Sequence, residues 1–116
     1  MRNISFQLTT EQIRNRTKTV TRRLGWEYLK PGTLLQACEK CMGLKKGEHL
    51  NKLAVIRVTN VYREPLNEIA ESQIWAETRR EGFPNISPEA FVEMFCKHMK
   101  CNPYTIVTRI EFEYVQ

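Results

Sequence analysis

Between Arg16 and Arg23 the chain reads Arg-Thr-Lys-Thr-Val-Thr-Arg-Arg: four cations and three hydroxyls, with no carboxylate among them. Such a run suits phosphate oxygens or a polar small molecule, with Lys18 acting as a point charge and Thr21 as a hydroxyl donor. Thr19, Val20 and Thr21 are β-branched and favour extended backbone, in which residues two apart share a face. Lys18, Val20 and Arg22 then fall on one face, and Thr17, Thr19, Thr21 and Arg23 on the other. Trp26 and Tyr28 follow directly. An aromatic beside cations can stack on a base while the cations hold its phosphate; it can equally pack at the rim of a core. The plain alternative for the whole run is a solvated charged surface.

A second set of reactive residues is the four cysteines, at 38, 41, 96 and 101, with His98 between the last two. Cys38-x-x-Cys41 and Cys96-x-His98-x-x-Cys101 have ligand spacing for zinc. The first pair leaves a predicted strand without a glycine-rich knuckle, and Cys96 lies on an apolar helical face. Reduced thiols buried as small hydrophobes satisfy the same pattern, and no metal or other cofactor is expected.

These residues need a frame. A chain of 116 residues is expected to be a single domain, 1–116, with one sizeable core. No apolar run is long enough to span a membrane, and the first residues lack the apolar stretch of a signal peptide, so a cytoplasmic protein without a membrane partner is expected. The formal net charge of +5 is unevenly spread. Residues 1–57 hold twelve Lys or Arg against four Glu, and residues 58–116 hold six against nine. If the basic half gathers its charge on one face, that face attracts a polyanion, or an acidic protein partner, in a salt-dependent way. There is no Asp, so any carboxylate chemistry falls to Glu.

The spacing predicts a strand over Asn3–Leu8 and a short helix over 10–16, with Thr9 as its cap and Gln12 at the reciprocal capping-box position. Lys30-Pro31-Gly32-Thr33 is a turn, and Thr33–Glu39 a buried strand. Residues 40–51 form a polar loop. Leu53–Tyr62 alternates in both registers and suits a central strand, broken by Glu64-Pro65-Leu66. Asn67–Arg80 reads as helical, with Leu66, Ile69, Ala70, Ile74 and Trp75 as its apolar stripe and Ser72 able to cap a second short helix. Glu81–Asn85 is a loop. Ser87-Pro88 starts a helix whose buried face carries Phe91, Val92, Met94, Phe95 and Met99. Thr105–Tyr114 closes the chain as a strand. Strands joined by long connections, with helices outside, predict an α+β fold built on a small mixed or antiparallel β-barrel.

Lys18-Thr19-Val20-Thr21-Arg22-Arg23, the Leu29-Lys30-Pro31-Gly32 corner, Glu81-Gly82-Phe83 and the closing Ile110-Glu111-Phe112-Glu113-Tyr114 strand, in that order, resemble the ASCH domain family of the PUA-like superfamily. The small single-domain members of bacteria, phages and prophages are the most similar. The resemblance implies a PUA-like mixed β-barrel with helices packed outside and a cleft that binds RNA or a modified nucleotide. It places the segment with Lys18, Thr19, Thr21, Arg22 and Arg23 at that cleft; the basic run and the aromatic after it add Arg16 and Trp26 as candidate ligand-binding residues. Some small bacterial members deacetylate N4-acetylcytidine. Carried over here, that activity implies Lys18 as base, Thr21 as nucleophile and Glu81 as proton donor, with Glu77 as the alternative to Glu81. On a regular strand Lys18 and Thr21 point to opposite faces, so the enzymatic reading requires a bend between them or a strand that begins after Lys18. The stretch Glu39–Lys52 and the Trp26 loop are longer than in those enzymes and bear on the shape of the cleft.

Overall fold

The computed structural model describes residues 1–71 and 75–115. Its elements run β1 (Arg2–Ser5), a 3-10 turn (Gln7–Thr9), α1 (Thr10–Arg14), β2 (Val20–Arg23), β3 (Leu34–Cys38), β4 (Lys52–Pro65), α2 (Glu68–Glu71), α3 (Ala76–Arg80), α4 (Pro88–Met99) and β5 (Ile106–Val115). The five strands form one sheet in the order β1-β3-β4-β5-β2. β1 and β3 are parallel and the other neighbours antiparallel. β4, apolar in both registers, is the central strand, as its sequence requires.

β1 and β2 are the two ends of that order, yet a side chain joins them. Arg23 on β2 donates from Nη2 to the Ser5 carbonyl of β1, and its guanidinium lies 4.7 Å over the Phe6 ring. The sheet is therefore curled into a half-barrel whose seam is bridged by Arg23. Inside the curl, Ile4, Phe6, Ile13, Leu35, Ile56, Val58, Ile110 and Phe112 form the first core. A second core lies under the helices, where Leu66, Ile69, Phe91, Val92 and Val107 pack together. β5 serves both, because Val107 and Ile110 lie on opposite faces of one strand.

Several boundaries differ from the sequence pattern. β1 stops at Ser5, and the chain enters α1 through the 3-10 turn. Thr9 makes no side-chain cap; Thr10 Oγ1 instead donates to the Phe6 carbonyl at 2.9 Å, and Gln12 Nε2 reaches across the chain to the Gly82 carbonyl at 3.2 Å. A tertiary partner has replaced the local capping box. β4 runs past Tyr62 to Pro65 because it stays paired with β5 up to Pro65 opposite Ile106, and Pro is tolerated at a strand end. The helical stretch is divided between α2 and α3; Ser72 and Ile74 lie outside the described residues. Ser87 caps α4 as its sequence predicts, its Oγ accepting from the Ala90 N–H at 3.0 Å.

Candidate functional site

Glu81 enters the site through a helix end. Gly82, at φ +98, occupies the left-handed position after α3. The Gly82 N–H donates to the Arg79 carbonyl at 3.0 Å and the Phe83 N–H to the Thr78 carbonyl at 2.8 Å. These are the paired bonds of a Schellman motif, and the apolar residue that follows its glycine, Phe83, packs against the second core as that motif favours. Glu-Gly-Phe is thus a helix stop that fixes Glu81 as the last residue before the turn. A Cβ at Gly82 would stand 2.9 Å from Gln12 Cγ, so only glycine meets both the angle and the space.

Lys18 reaches Glu81 from the other side. Its N–H and that of Thr17 donate to the Gln12 carbonyl, the Thr19 N–H donates to the Arg80 carbonyl at 2.8 Å, and the Lys18 carbonyl accepts from the Tyr114 hydroxyl. β2 begins at Val20, so Lys18 stands before the strand and escapes its alternation. This resolves the geometric demand posed by the sequence: Lys18 and Thr21 line the same cavity. Lys18 Nζ donates to Glu81 Oε1 at 2.8 Å and to the Glu81 carbonyl at 2.7 Å, with both side chains 3% exposed. An ammonium has three N–H bonds, which leaves one beyond these two. Burial lowers the Lys18 pKa below the ordinary amine range, against the opposing pull of the Glu81 charge.

Glu81 is also held by Arg22, whose Nη1 donates to Oε2 at 2.9 Å. Arg22 Nη2 meets Glu77 Oε1 at 2.6 Å and Glu64 Oε1 at 3.1 Å. From β5, Arg109 grips both Glu77 oxygens, at 2.7 and 3.1 Å. Burial opposes the charge on Glu77, yet the hydrogen bonds from Arg109 and Arg22 prevail and hold its pKa at about 2. Burial likewise opposes the charge on Arg22, and Glu81 and Glu77 more than offset it, so its pKa is raised.

The pair opens onto a cavity of about 220 Å³ at the β1–β2 seam. Its polar floor is Lys18, Thr21, Arg22, Arg23 and Glu81; Phe83, Phe91, Met94, Phe95, His98 and Met99 form an opposite wall, most of it from α4. Thr21 Oγ1 accepts from Arg23 Nε at 3.0 Å. Burial brings the Arg23 pKa down to about 10, which leaves it charged near neutrality. A hydroxyl held by a cation, sharing a cavity with a buried amine and an aromatic wall, can bind a flat polar ligand and can also attack an acyl carbon.

Five of the expected residues therefore meet at the cavity: Lys18, Thr21, Arg22, Arg23 and Glu81. Glu77 stands behind Arg22. Thr19 is half-buried beside them, with its N–H on Arg80 and its carbonyl accepting from Phe112. Arg16, exposed and at φ 62, lies 5.3 Å over the Tyr114 ring, outside the cavity lining. Trp26 also lies outside it, under the Arg2 guanidinium at 4.0 Å in a separate depression with Tyr28 and Lys30. The cations of the opening run are not a bare surface, since Lys18 and Arg22 are buried and the half-buried Arg23 is held by Thr21 and the Ser5 carbonyl. Glu64 and Arg109 were not singled out by sequence. The cysteines meet as separate pairs, Cys38 with Cys41 and Cys96 with Cys101. Among the described residues no three His, Cys or Glu side chains gather so as to hold a metal ion.

The curled mixed sheet with helices outside it is an α+β, ASCH-like fold. Solved structures place it so. The ASCH domain from Lactobacillus crispatus JV V101 matches with a TM-score of 0.59 at 14% identity, over 97% of this chain and 77% of that one. An ASCH protein from Zymomonas mobilis matches with a TM-score of 0.60 at 12% identity, over 98% and 73%. Protein EF3133 from Enterococcus faecalis V583 matches with a TM-score of 0.61 at 17% identity, over 94% and 68%. No family model and no curated protein matches the chain in sequence, so the likeness is one of fold.

Proposed function

We propose that the protein binds a nucleoside in the β1–β2 cavity and hydrolyses an amide on its base, as N4-acetylcytidine would require. The observation that carries this reading is the buried Lys18–Glu81 pair lining one cavity with Thr21. A cavity volume of about 220 Å³ suits a base with a small acyl group better than an extended strand. The wall of Phe83, Phe91 and Phe95 suits a flat base. Arg22 and Arg23, the cations that would otherwise grip an RNA backbone, are already engaged inside the protein.

In this reading neutral Lys18 takes the Thr21 hydroxyl proton as Oγ1 bonds to the acyl carbon and the carbonyl electron pair moves onto oxygen. The cation of Arg23, whose Nε donates to Oγ1 at 3.0 Å, holds the hydroxyl in place and favours loss of its proton. The proton crosses the 2.8 Å Lys18–Glu81 bond and passes from Glu81 to the departing amino nitrogen as the C–N bond breaks. Water then attacks the acyl-threonine ester, with Lys18 again the base, and releases the carboxylic acid. The base must be uncharged, so turnover rises with pH through the lowered Lys18 pKa. Incubation with N4-acetylcytidine, followed by chromatography for cytidine, tests the proposal. Wild-type protein should release cytidine, and Lys18→Ala and Thr21→Ala should not. Absence of release from every acylated nucleoside tried by the wild-type protein rejects it.

A further inference from the structure

Glu77 and Glu81 stand four residues apart on one side of α3 and its cap, where like charges repel. Arg22 sits between them, 2.6 Å from Glu77 and 2.9 Å from Glu81, with its side chain 2% exposed. Its Nε is buried without a partner among the described residues, so the guanidinium is oriented by its two outer nitrogens alone. Lys18 and Arg22 thus compete for one carboxylate, each holding one Glu81 oxygen. Two carboxylates hold the far nitrogen of Arg22, Glu77 at 2.6 Å and Glu64 at 3.1 Å.

We propose that Glu77 is a positioning residue for the Lys18–Glu81 pair: by neutralising Arg22 it leaves Glu81 Oε1 to Lys18 and sets the charge that Lys18 feels. Glu77 is suited to this by being held from behind. Arg109 of β5 grips both its oxygens, and Arg80 of its own helix meets Oε2 at 3.2 Å. The other charged groups facing the cluster are Glu64 of β4, at 3.1 Å from Arg22, and Glu111 of β5, at 3.6 Å from Arg109. Tyr62 of β4 lies under Arg109 at 5.1 Å. On the cavity side, Arg23 is the remaining cation that acts on Lys18. Any role in turnover rests on the hydrolase reading; the charge arrangement does not.

Two substitutions make predictions of opposite sign. Glu77→Gln removes the nearer of the two anions behind Arg22, so the Lys18 pKa should fall by about 0.5–1 pH unit. Arg109→Gln removes a cation while leaving Glu77 on Arg22, so the Lys18 pKa should rise. The readout is the NMR titration of the Lys18 side-chain resonance in ligand-free folded protein, which a purely structural role would not move. Glu77→Asp, which keeps the charge, should return the titration toward wild type. If Glu77→Gln does not fold, Arg109→Gln and the charge-compensated E77Q/R109Q pair decide, the pair titrating closer to wild type than Arg109→Gln does. Unchanged titrations, or shifts of the same sign in the two single variants, overturn the proposal. The pH limb of cytidine release should follow the same shifts. A wild-type protein without turnover rejects the hydrolase reading and leaves the titration to decide this one.

Discussion

Replacing Glu81 by Gln should destabilise the protein far more than replacing Lys18 by Met, although the two residues share one ion pair. Lys18→Met removes two hydrogen bonds from Nζ, at 2.8 and 2.7 Å, but it also removes a buried ammonium. Charge-assisted bonds contribute about 1.5–3 kcal/mol each, and the desolvation of a buried ion costs several kcal/mol, so the two effects largely cancel. Glu81 meanwhile keeps Arg22 as its counter-ion. The net loss should be about 0–2 kcal/mol. Glu81→Gln leaves Lys18, 3% exposed, without its carboxylate. Stranding one member of a buried pair costs about 3–5 kcal/mol. Deprotonation of the amine caps the cost: lowering its pKa from 10.5 to neutrality is about 3.5 units at 1.36 kcal/mol each, or about 5 kcal/mol. Urea unfolding at pH 7, followed by circular dichroism at constant m value, measures both variants. The Glu81→Gln deficit should narrow as pH rises toward 10, because Lys18 then discharges in the unfolded chain as well. A Glu81→Gln deficit no larger than that of Lys18→Met, or one that is flat from pH 7 to 10, would refute Glu81 as the counter-ion of Lys18.

Other consequences concern the frame around the pair. Glu77, at a pKa of about 2 against an unfolded value of 4.5, binds fewer protons when folded, so its contribution is present above pH 4.5 and is lost as pH falls through 2. Acid titration of stability should show a loss of about 3 kcal/mol over that window in wild type, and Glu77→Gln should lack it. Gly82→Ala should cost at least about 1–2 kcal/mol from the left-handed backbone angle, more once the contact with Gln12 is counted, and should weaken ligand binding because Glu81 precedes it. Ser87→Ala should cost about 1 kcal/mol in thermal unfolding through loss of the α4 cap, with no change in cytidine release.

Much of the frame was legible because local pattern and tertiary structure agree. Ser87-Pro88 announces α4, the two-sided alternation of 53–62 marks the central strand, and Pro31-Gly32 turns the corner before β3. Lys18 and Thr21 were legible as a pair only through the family resemblance, since their spacing on a strand argues for opposite faces; the strand begins after Lys18 because Gln12, Arg80 and Tyr114 hold that segment by its backbone. The partners of Arg22 were not legible. Glu64 sits on a stretch of β4 that Glu64-Pro65-Leu66 marks by type as a strand break, and pairing with Val107 of β5 keeps it extended. Arg109 lies on the strand face that also carries Val107, Glu111 and Glu113, and nothing in that alternation names Glu77 of α3 as its partner. Thr9 and Gln12 spell a capping box, but Gln12 gains a longer-range partner in the Gly82 carbonyl, and nothing local in the sequence encodes it.

The most direct test of the central claim is the rate of cytidine release from N4-acetylcytidine by wild-type protein and by Thr21→Ala, measured at pH 8 with folding checked by circular dichroism. Wild-type release that falls to the uncatalysed rate in folded Thr21→Ala is the predicted result. Equal rates in the two proteins, or no release by wild type, would contradict a Thr21 nucleophile activated at the Lys18–Glu81 pair.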